Sequence, residues 1–195
     1  MSEMKERMLS GGHYRADDPE LIADMARAHD LVERYNALGH AEHDARDRLL
    51  RELLGSVGAG VTVRSPFQCD YGSAISIGAG TFVNYGCVML DCAPITIGAA
   101  CQIATSVQLL AATHPIDPGP RRAGWESARP ITIGDNVWLG GGVIICPGVT
   151  IGEDTVVGAG AVVTRDLPAG VVAVGNPARV LREIREADRI DDAQR

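Results

Sequence analysis

The chain has 195 residues, of which 46% are hydrophobic but only 4% aromatic, so its core must be built from Val, Ile, Leu and Ala, which suits a thin, repetitive interior. A net charge of -7 argues against nucleic acid as a partner, since neutralising phosphates needs a basic surface, though a local basic pocket stays open. The N-terminal MSEMKERMLSGG has no apolar core and no run of about 18 apolar residues occurs anywhere, so neither a signal peptide nor a membrane span is expected.

The first third, residues 1–58, reads as a helical segment. Asp18 is placed to cap a helix that starts at Pro19, with Glu20 in its first turn. Leu21, Met25, Ala28, Val32 and Tyr35 then share one helix face, and Gly39 ends it. A second helix from about Glu42 to Leu54 carries Leu49, Leu50, Leu53 and Leu54 and stops at Gly55. The two helices read either as a packing appendage or as a cover over part of an active site.

Residues 59–177 carry a six-residue repeat, clearest from about 72 to 174. Ile133, Leu139, Ile145, Ile151, Val157 and Val163 are its aliphatic anchors. Glycine follows most of them, and Val137, Val143, Val149, Thr155 and Ala161 come four residues after. Ile97, Ile103 and Leu109 keep this register upstream; Ile77, Val83, Met89 and Ile95 keep the period two residues out of phase, with the slip at Ala93-Pro94. The pattern predicts a parallel β-helix. Anchors stack inward, small residues fill the corners, and glycine tolerates the corner's backbone angles. The Gly140-Gly141-Gly142 run lies inside the period and opens no helix, which rules out a dinucleotide-binding fingerprint. Five cysteines (Cys69, Cys87, Cys92, Cys101 and Cys146) include no CxxC pair; the odd count favours reduced thiols and a cytoplasmic protein.

The period breaks at 111–130, a polar, Pro- and Gly-rich excursion without a hexad pattern, of the kind that is usually functional or disordered. After Gly175-Asn176-Pro177, residues 178–195 read as an Arg-rich tail with a short helix, fraying at DDAQR. His114 sits in the excursion and is the only histidine of the repeat half; His13, His29, His40 and His43 lie in the helical part. Imidazole can take a proton from a hydroxyl and return it, although a solvated loop histidine is the competing reading. One imidazole in the coils also tells against a zinc enzyme, which needs about three around an open position, so no metal is expected. Asn84, at a post-anchor position, could stabilise developing charge, and Asp91, beside the slip, could bind sugar hydroxyls. Corner hydrogen bonding competes for both. Arg165, Arg179, Arg182 and Arg185 concentrate late in the chain. Arg179 and Arg182 could share a helix face and fork a phosphate, or simply keep the tail soluble.

These residues lie in strings that resemble the hexapeptide-repeat sugar O-acetyltransferases, the group of maltose and galactoside acetyltransferases, and the maltose type most. The strings are CDYG at 69–72, NYGCVMLDCAPITIG at 84–98, ATHPIDP at 112–118, PITIGDNVWLGGGVIICPGVTIG at 130–152, GAGAVVTRD at 158–166 and GNPARVLREI at 175–184; MLSGGHYRADDPEL resembles the family's opening segment. The resemblance implies a mainly β fold, a left-handed parallel β-helix, and a homotrimer with active sites between subunits. It implies acetyl transfer from acetyl-CoA to a hydroxyl. It makes His114 the general base and gives Asn84 and the Gly141 N–H the transition-state charge. Asp70, Asp91 and Cys92 would line the acceptor site. So would Asp17, or Asp18 in its place, because the spacing after Tyr14 varies. Ala159, Thr164 and Arg165 would track the pantetheine and nucleotide, Arg179 and Arg182 would meet phosphates, and Trp138 would wall the groove or fill a corner. The sequence departs from some members at Cys92, where they have a second carboxylate. Glu126 stands where many have glutamate and could orient His114 or contact the acceptor. An antibiotic or serine acceptor on the same scaffold is the alternative, and a non-catalytic solenoid the more distant one.

Overall fold

Each hexad forms one short strand, and three consecutive hexads close one coil of a parallel β-helix. A computed structural model describes residues 1–188 and 190; the DDAQR end lies outside the described residues. The first face stacks Ser56–Val57, Ile75–Ile77, Ile95–Ile97, Ile131–Ile133 and Thr150–Ile151. The second stacks Thr62–Val63, Phe82–Val83, Gln102–Ile103, Trp138–Leu139, Val156–Val157 and Val171–Val174. The third stacks Phe67–Cys69, Cys87–Leu90, Gln108–Leu110, Ile144–Ile145 and Val162–Val163. The chain visits the faces in that order, so the prism has a first–second, a second–third and a third–first edge. The first strand, Ser56–Val57, already lies inside the segment read as the helical cap.

The six anchors point inward and are buried, Leu139, Ile145, Ile151, Val157 and Val163 completely. Each such side chain contributes about 1.5–3 kcal/mol by leaving water. The glycine after an anchor is there for space rather than for backbone angles. A Cβ on Gly140 would lie 2.6 Å from the Ala159 nitrogen of the next coil. The left-handed corner residues come two places later, at Asn136, Gly142, Asp154 and Gly160.

The slip at Ala93-Pro94 is a widened third–first edge. Val57, Ile77 and Ile97 stack in steps of 20 residues, whereas Ile133 and Ile151 stack in a step of 18. The extra residues fall in the corners that hold Asp70 and Asp91, between Cys69 and Ile75 and between Leu90 and Ile95. The third passage of this same edge carries the 111–130 excursion.

The N-terminal cap holds three helices: α1 (Glu3–Leu9), capped by Ser2 and not foreseen from sequence, α2 (Pro19–Ala37) and α3 (His43–Leu53). Asp18 caps α2 as expected, accepting from the Glu20 and Leu21 N–H groups. The cap is pinned to the coils by Tyr35, whose hydroxyl donates to the Val63 carbonyl at 2.6 Å. Buried Arg46 stacks 4.2 Å over the Tyr35 ring and donates to the carbonyls of Tyr35, Leu38 and Val63 and to Ser65 Oγ.

The excursion has structure of its own. Ala112–Thr113 and Trp125–Ala128 pair antiparallel around α4 (Pro118–Arg122), which Asp117 caps. Strand Tyr14–Arg15 of the cap adds to Trp125–Ala128 as a third strand. The tail differs from expectation: Arg179–Glu183 is a strand, not a helix, and among the described residues one 3₁₀ turn follows, at Glu186–Asp188. The last coil ends in strand Val171–Val174, which pairs with Val156–Val157 on one side, and an antiparallel return satisfies its outer edge.

Candidate active site

The predicted site residues divide between two edges of the prism. Along the second–third edge stand Asn84, Gly141 and Ala159, with the corner of Ala104 and Thr105 between Asn84 and Gly141. The Gly141 carbonyl accepts from Gly160 N–H, and its own N–H makes no hydrogen bond among the described residues. Asn84 is half-buried, its Oδ1 accepts from the Tyr85 N–H, and the residue lines the cleft beside Trp138. Trp138 lies on the adjoining second face, 53% exposed, and shares with Phe82, Asn84, Gln102 and Ala104 a cleft of about 150 Å³. It does not fill a corner.

Along the third–first edge stand Asp70, Asp91, Cys92, the excursion with His114, and, farther along, exposed Thr164 and Arg165. Asp91 is 1% exposed, and its carboxylate accepts from the N–H groups of Asp70, Tyr71 and Ala74. The corner role therefore takes both Asp91 oxygens, and the group an acceptor could meet is Asp70. Burial pushes the Asp70 carboxyl above its ordinary range, and the neighbouring Asp91 adds to the rise. Cys92 Sγ donates to Asp70 Oδ2 at 3.3 Å, and burial pushes this thiol up to about 12, so it stays a neutral donor.

His114 is exposed and directly follows the strand Ala112–Thr113. That strand sets Ala112 opposite Ala128 and Thr113 opposite Ser127, and His114 follows its last paired position, at the end where Glu126 precedes Ser127. Tyr14 is paired with Glu126 on the other side, and its hydroxyl donates to Glu126 Oε2 at 3.2 Å. Cross-strand partners share a sheet face, so Tyr14 and Glu126 stand together beside the Asp70–Cys92 corner, with His114 at the end of the neighbouring strand. His29 of α2 is near enough to act on the Asp70 charge. Tyr14 and His29 were not singled out from sequence. Tyr14 belongs to a two-residue strand too short to leave a periodic signal. Of the two N-terminal acids, Asp18 is used as a helix cap, while Asp17 is exposed and pairs with Arg15.

Arg179 and Arg182 are on a strand, where a spacing of three would normally separate them. A bulge corrects this: Arg179 pairs with Val174 and Arg182 with Val172, two apart on one strand, so both reach the outer face. Arg182 is forked to Asp188 at 2.6 and 2.8 Å, whereas among the described residues exposed Arg179 has the Ala178 carbonyl alone.

One face of the prism separates the two groups of residues. From Asn84 to Asp91 the chain runs the length of strand Cys87–Leu90, about 13 Å at the usual extended rise. The chain alone thus sets Glu126, Asp70, Cys92 and the excursion with His114 along one edge and holds Asn84, Gly141, Ala159 and Trp138 at another.

Residues 7–58 match the maltose acetyltransferase hexapeptide capping motif, and residues 130–165 match the bacterial transferase hexapeptide as six repeats. The chain is 51% identical over 176 residues to nodulation protein L of Rhizobium meliloti (strain 1021), covering 90% of this chain and 96% of that protein. The solved maltose O-acetyltransferase from Clostridium difficile 630 is 45% identical with a TM-score of 0.92, over 95% of this chain and 99% of that one. A galactoside acetyltransferase solved in complex with coenzyme A is 37% identical with a TM-score of 0.93, over 98% of each chain.

Proposed function

The chain belongs to the hexapeptide-repeat acetyltransferases that carry the maltose acetyltransferase capping motif, and from that membership we propose that it transfers the acetyl group of acetyl-CoA to a hydroxyl of a neutral sugar or glycoside, with His114 as general base. The observation that carries the reading is that His114 ends the strand paired beside Glu126, while the Tyr14–Glu126 pair stands beside the Asp70–Cys92 corner. Glu126 orients the imidazole and balances the charge it gains. Asp70, with Asp17 at the rim, accepts hydrogen bonds from acceptor hydroxyls, and Asp91 acts through Asp70 by fixing its backbone.

In the reaction His114 takes the proton of the acceptor hydroxyl as that oxygen forms a bond to the thioester carbonyl carbon. The Asn84 amide and the Gly141 N–H hold the carbonyl oxygen while it carries negative charge. The C–S bond then breaks, and His114 returns the proton to the leaving thiol. The smooth edge at Gly141 and Ala159 suits the pantetheine arm, with Trp138 as its wall and Arg179 near the phosphates; the 150 Å³ cleft beside Trp138 supports that path. The galactoside acetyltransferase relative is a coenzyme A complex, which supports the same co-substrate here.

Both the catalytic list and the cofactor list divide between the same two edges: His114, Thr164 and Arg165 on one, Asn84, Gly141 and Ala159 on the other. A second copy that lays its second–third edge against the third–first edge of this one completes both lists at once. Such a head-to-tail contact closes as a ring, and the homotrimer is the ring we propose, acting in the cytoplasm.

A serine acceptor is less well served, since its carboxylate would face Asp70 and Glu126. The test is turnover of His114→Ala with acetyl-CoA and maltose or glucose, read by thiol release. A fall of about 10²–10⁴ is expected for loss of a general base; activity near wild type would overturn the assignment. Turnover on chloramphenicol and serine in the same assay separates the antibiotic and serine readings, and calorimetry with acetyl-CoA separates a non-catalytic scaffold.

A further inference from the structure

Tyr14 comes from the N-terminal cap, is fully buried, and takes no part in the transfer scheme, yet its hydroxyl reaches the acceptor side. Burial pushes the phenol well above its ordinary range, so it keeps its one proton, and the proton goes to Glu126 Oε2 at 3.2 Å. The same hydroxyl borders the Cys92 thiol, whose proton goes to Asp70 Oδ2 at 3.3 Å. A hydroxyl and a thiol, both neutral, therefore stand between the two carboxylates that face the acceptor. Either carboxylate alone would be free to rotate or to repel the other across the gap. The excursion strand Trp125–Ala128 has two paired positions on Tyr14–Arg15 and two on Ala112–Thr113, so the cap supplies half of its strand pairing.

We propose that Tyr14 is a positioning residue for the transfer: by hydrogen-bonding Glu126 it sets that carboxylate against His114, and through Cys92 it holds Glu126 and Asp70 in one fixed arrangement that acceptor hydroxyls read. The N-terminal cap is then part of the catalytic apparatus, joined to it by one oxygen atom. This rests on the reading of His114 as base. A small misplacement of a group that orients a base is enough to slow turnover substantially without changing co-substrate binding.

The experiment is Tyr14→Phe in the full chain, which keeps the ring and removes only the donor. Thermal unfolding and calorimetric binding of acetyl-CoA report whether the variant is folded. The expected result is a kcat about tenfold lower, an unchanged KM for acetyl-CoA, and a displaced acid limb in the pH profile of kcat/KM. In a Glu126→Gln background the same change is expected to cost less than about twofold and to leave the limb in place, because the two side chains act as one unit. Cys92→Ser, which keeps a donor, should preserve the acceptor KM, and Cys92→Ala should raise it. Wild-type kcat and pH profile in Tyr14→Phe would overturn the proposal, as would equal losses with and without Glu126. If Tyr14→Phe melts, the Cys92→Ser and Cys92→Ala pair carries the test, and equal acceptor KM values in that pair would overturn it. The two readings fail separately: a fully active His114→Ala sinks the base, whereas an inactive His114→Ala beside a fully active Tyr14→Phe sinks only the positioning role.

Discussion

The backbone N–H of Asp70 donates to the Asp91 carboxylate of the next coil at 3.1 Å, so one carboxylate is the scaffold on which the other is presented. Two acids at equivalent corners have opposite duties. Asp91 spends its oxygens on three backbone N–H groups, while Asp70 keeps one oxygen on a thiol and faces the acceptor space.

Exchanging each for its amide should therefore move stability in opposite directions. Asp70 has its pKa raised mainly by burial. Its contribution to stability is thus fully present below the ordinary carboxylate range and is lost as pH rises through the raised value. Asp70→Asn removes that loss, so it should melt a few degrees above wild type at about pH 7 and level with it below about pH 4, while weakening acceptor binding. Asp91→Asn offers one acceptor oxygen for three donors and sets an NH₂ against a backbone N–H, a cost of about 1–3 kcal/mol per orphaned donor, so it should melt lower. Calorimetric scans of both variants at the two pH values decide the matter; a destabilised Asp70→Asn at neutral pH would contradict it.

Among the described residues Arg46 has no carboxylate partner; its charge is solvated by three backbone carbonyls, a hydroxyl and the Tyr35 ring. Arg46→Met keeps the bulk and strips the donors. The Leu38 carbonyl then loses its guanidinium, and the cap loosens from the first coils. A loss of about 2–3 kcal/mol is expected by urea unfolding, with kcat per folded molecule unchanged. An unaltered midpoint would show that the Tyr35–Val63 bond pins the cap alone.

The coils were legible in the sequence because their signal is strictly periodic: each anchor from Ile133 to Val163 is buried where the six-residue step puts it. The phase slip was legible as an irregularity, though not as a widened edge, since that requires knowing which corner each slip falls in. His114 stood out because the repeat stops around it. What could not be read is what depends on pairing between distant segments. The partnership of Tyr14 with Glu126 spans 112 residues and rests on two-residue strands, below the length at which alternation is detectable. The tail failed for a related reason. RVLREI has good helix formers, but the open edge at Val171–Val174 recruits it as a strand, and tertiary pairing outweighs propensity.

Trp138 is exposed on the outer second face and supports no core, so removing it tests the co-substrate groove without a folding penalty. Trp138→Ala should raise the KM for acetyl-CoA about tenfold, equivalent to about 1.4 kcal/mol of lost contact. The acceptor KM and the melting temperature should not move, since Asp70 and Glu126 lie at the other edge. A selective rise in the acceptor KM would instead assign the cleft beside Asn84 to the sugar.

Asn84 and His114 stand on different edges with the strand Cys87–Leu90 between them, and this geometry makes a genetic test available. His114→Ala and Asn84→Ala should each be nearly inactive alone, because every site of either homo-oligomer lacks one group. If each site draws His114 from one copy and Asn84 from the next, a mixed oligomer contains some sites that receive both wild-type groups. With equal amounts and random assembly, a site needs the Asn84→Ala copy on one side and the His114→Ala copy on the other, a chance of about one in four. Co-refolding the two inactive variants should therefore restore about a quarter of wild-type turnover per site. Mixing them already assembled should restore nothing until the subunits exchange. If co-refolding never raises activity above that of the parents, both residues serve the same site from one chain, and the edge-to-edge ring is wrong.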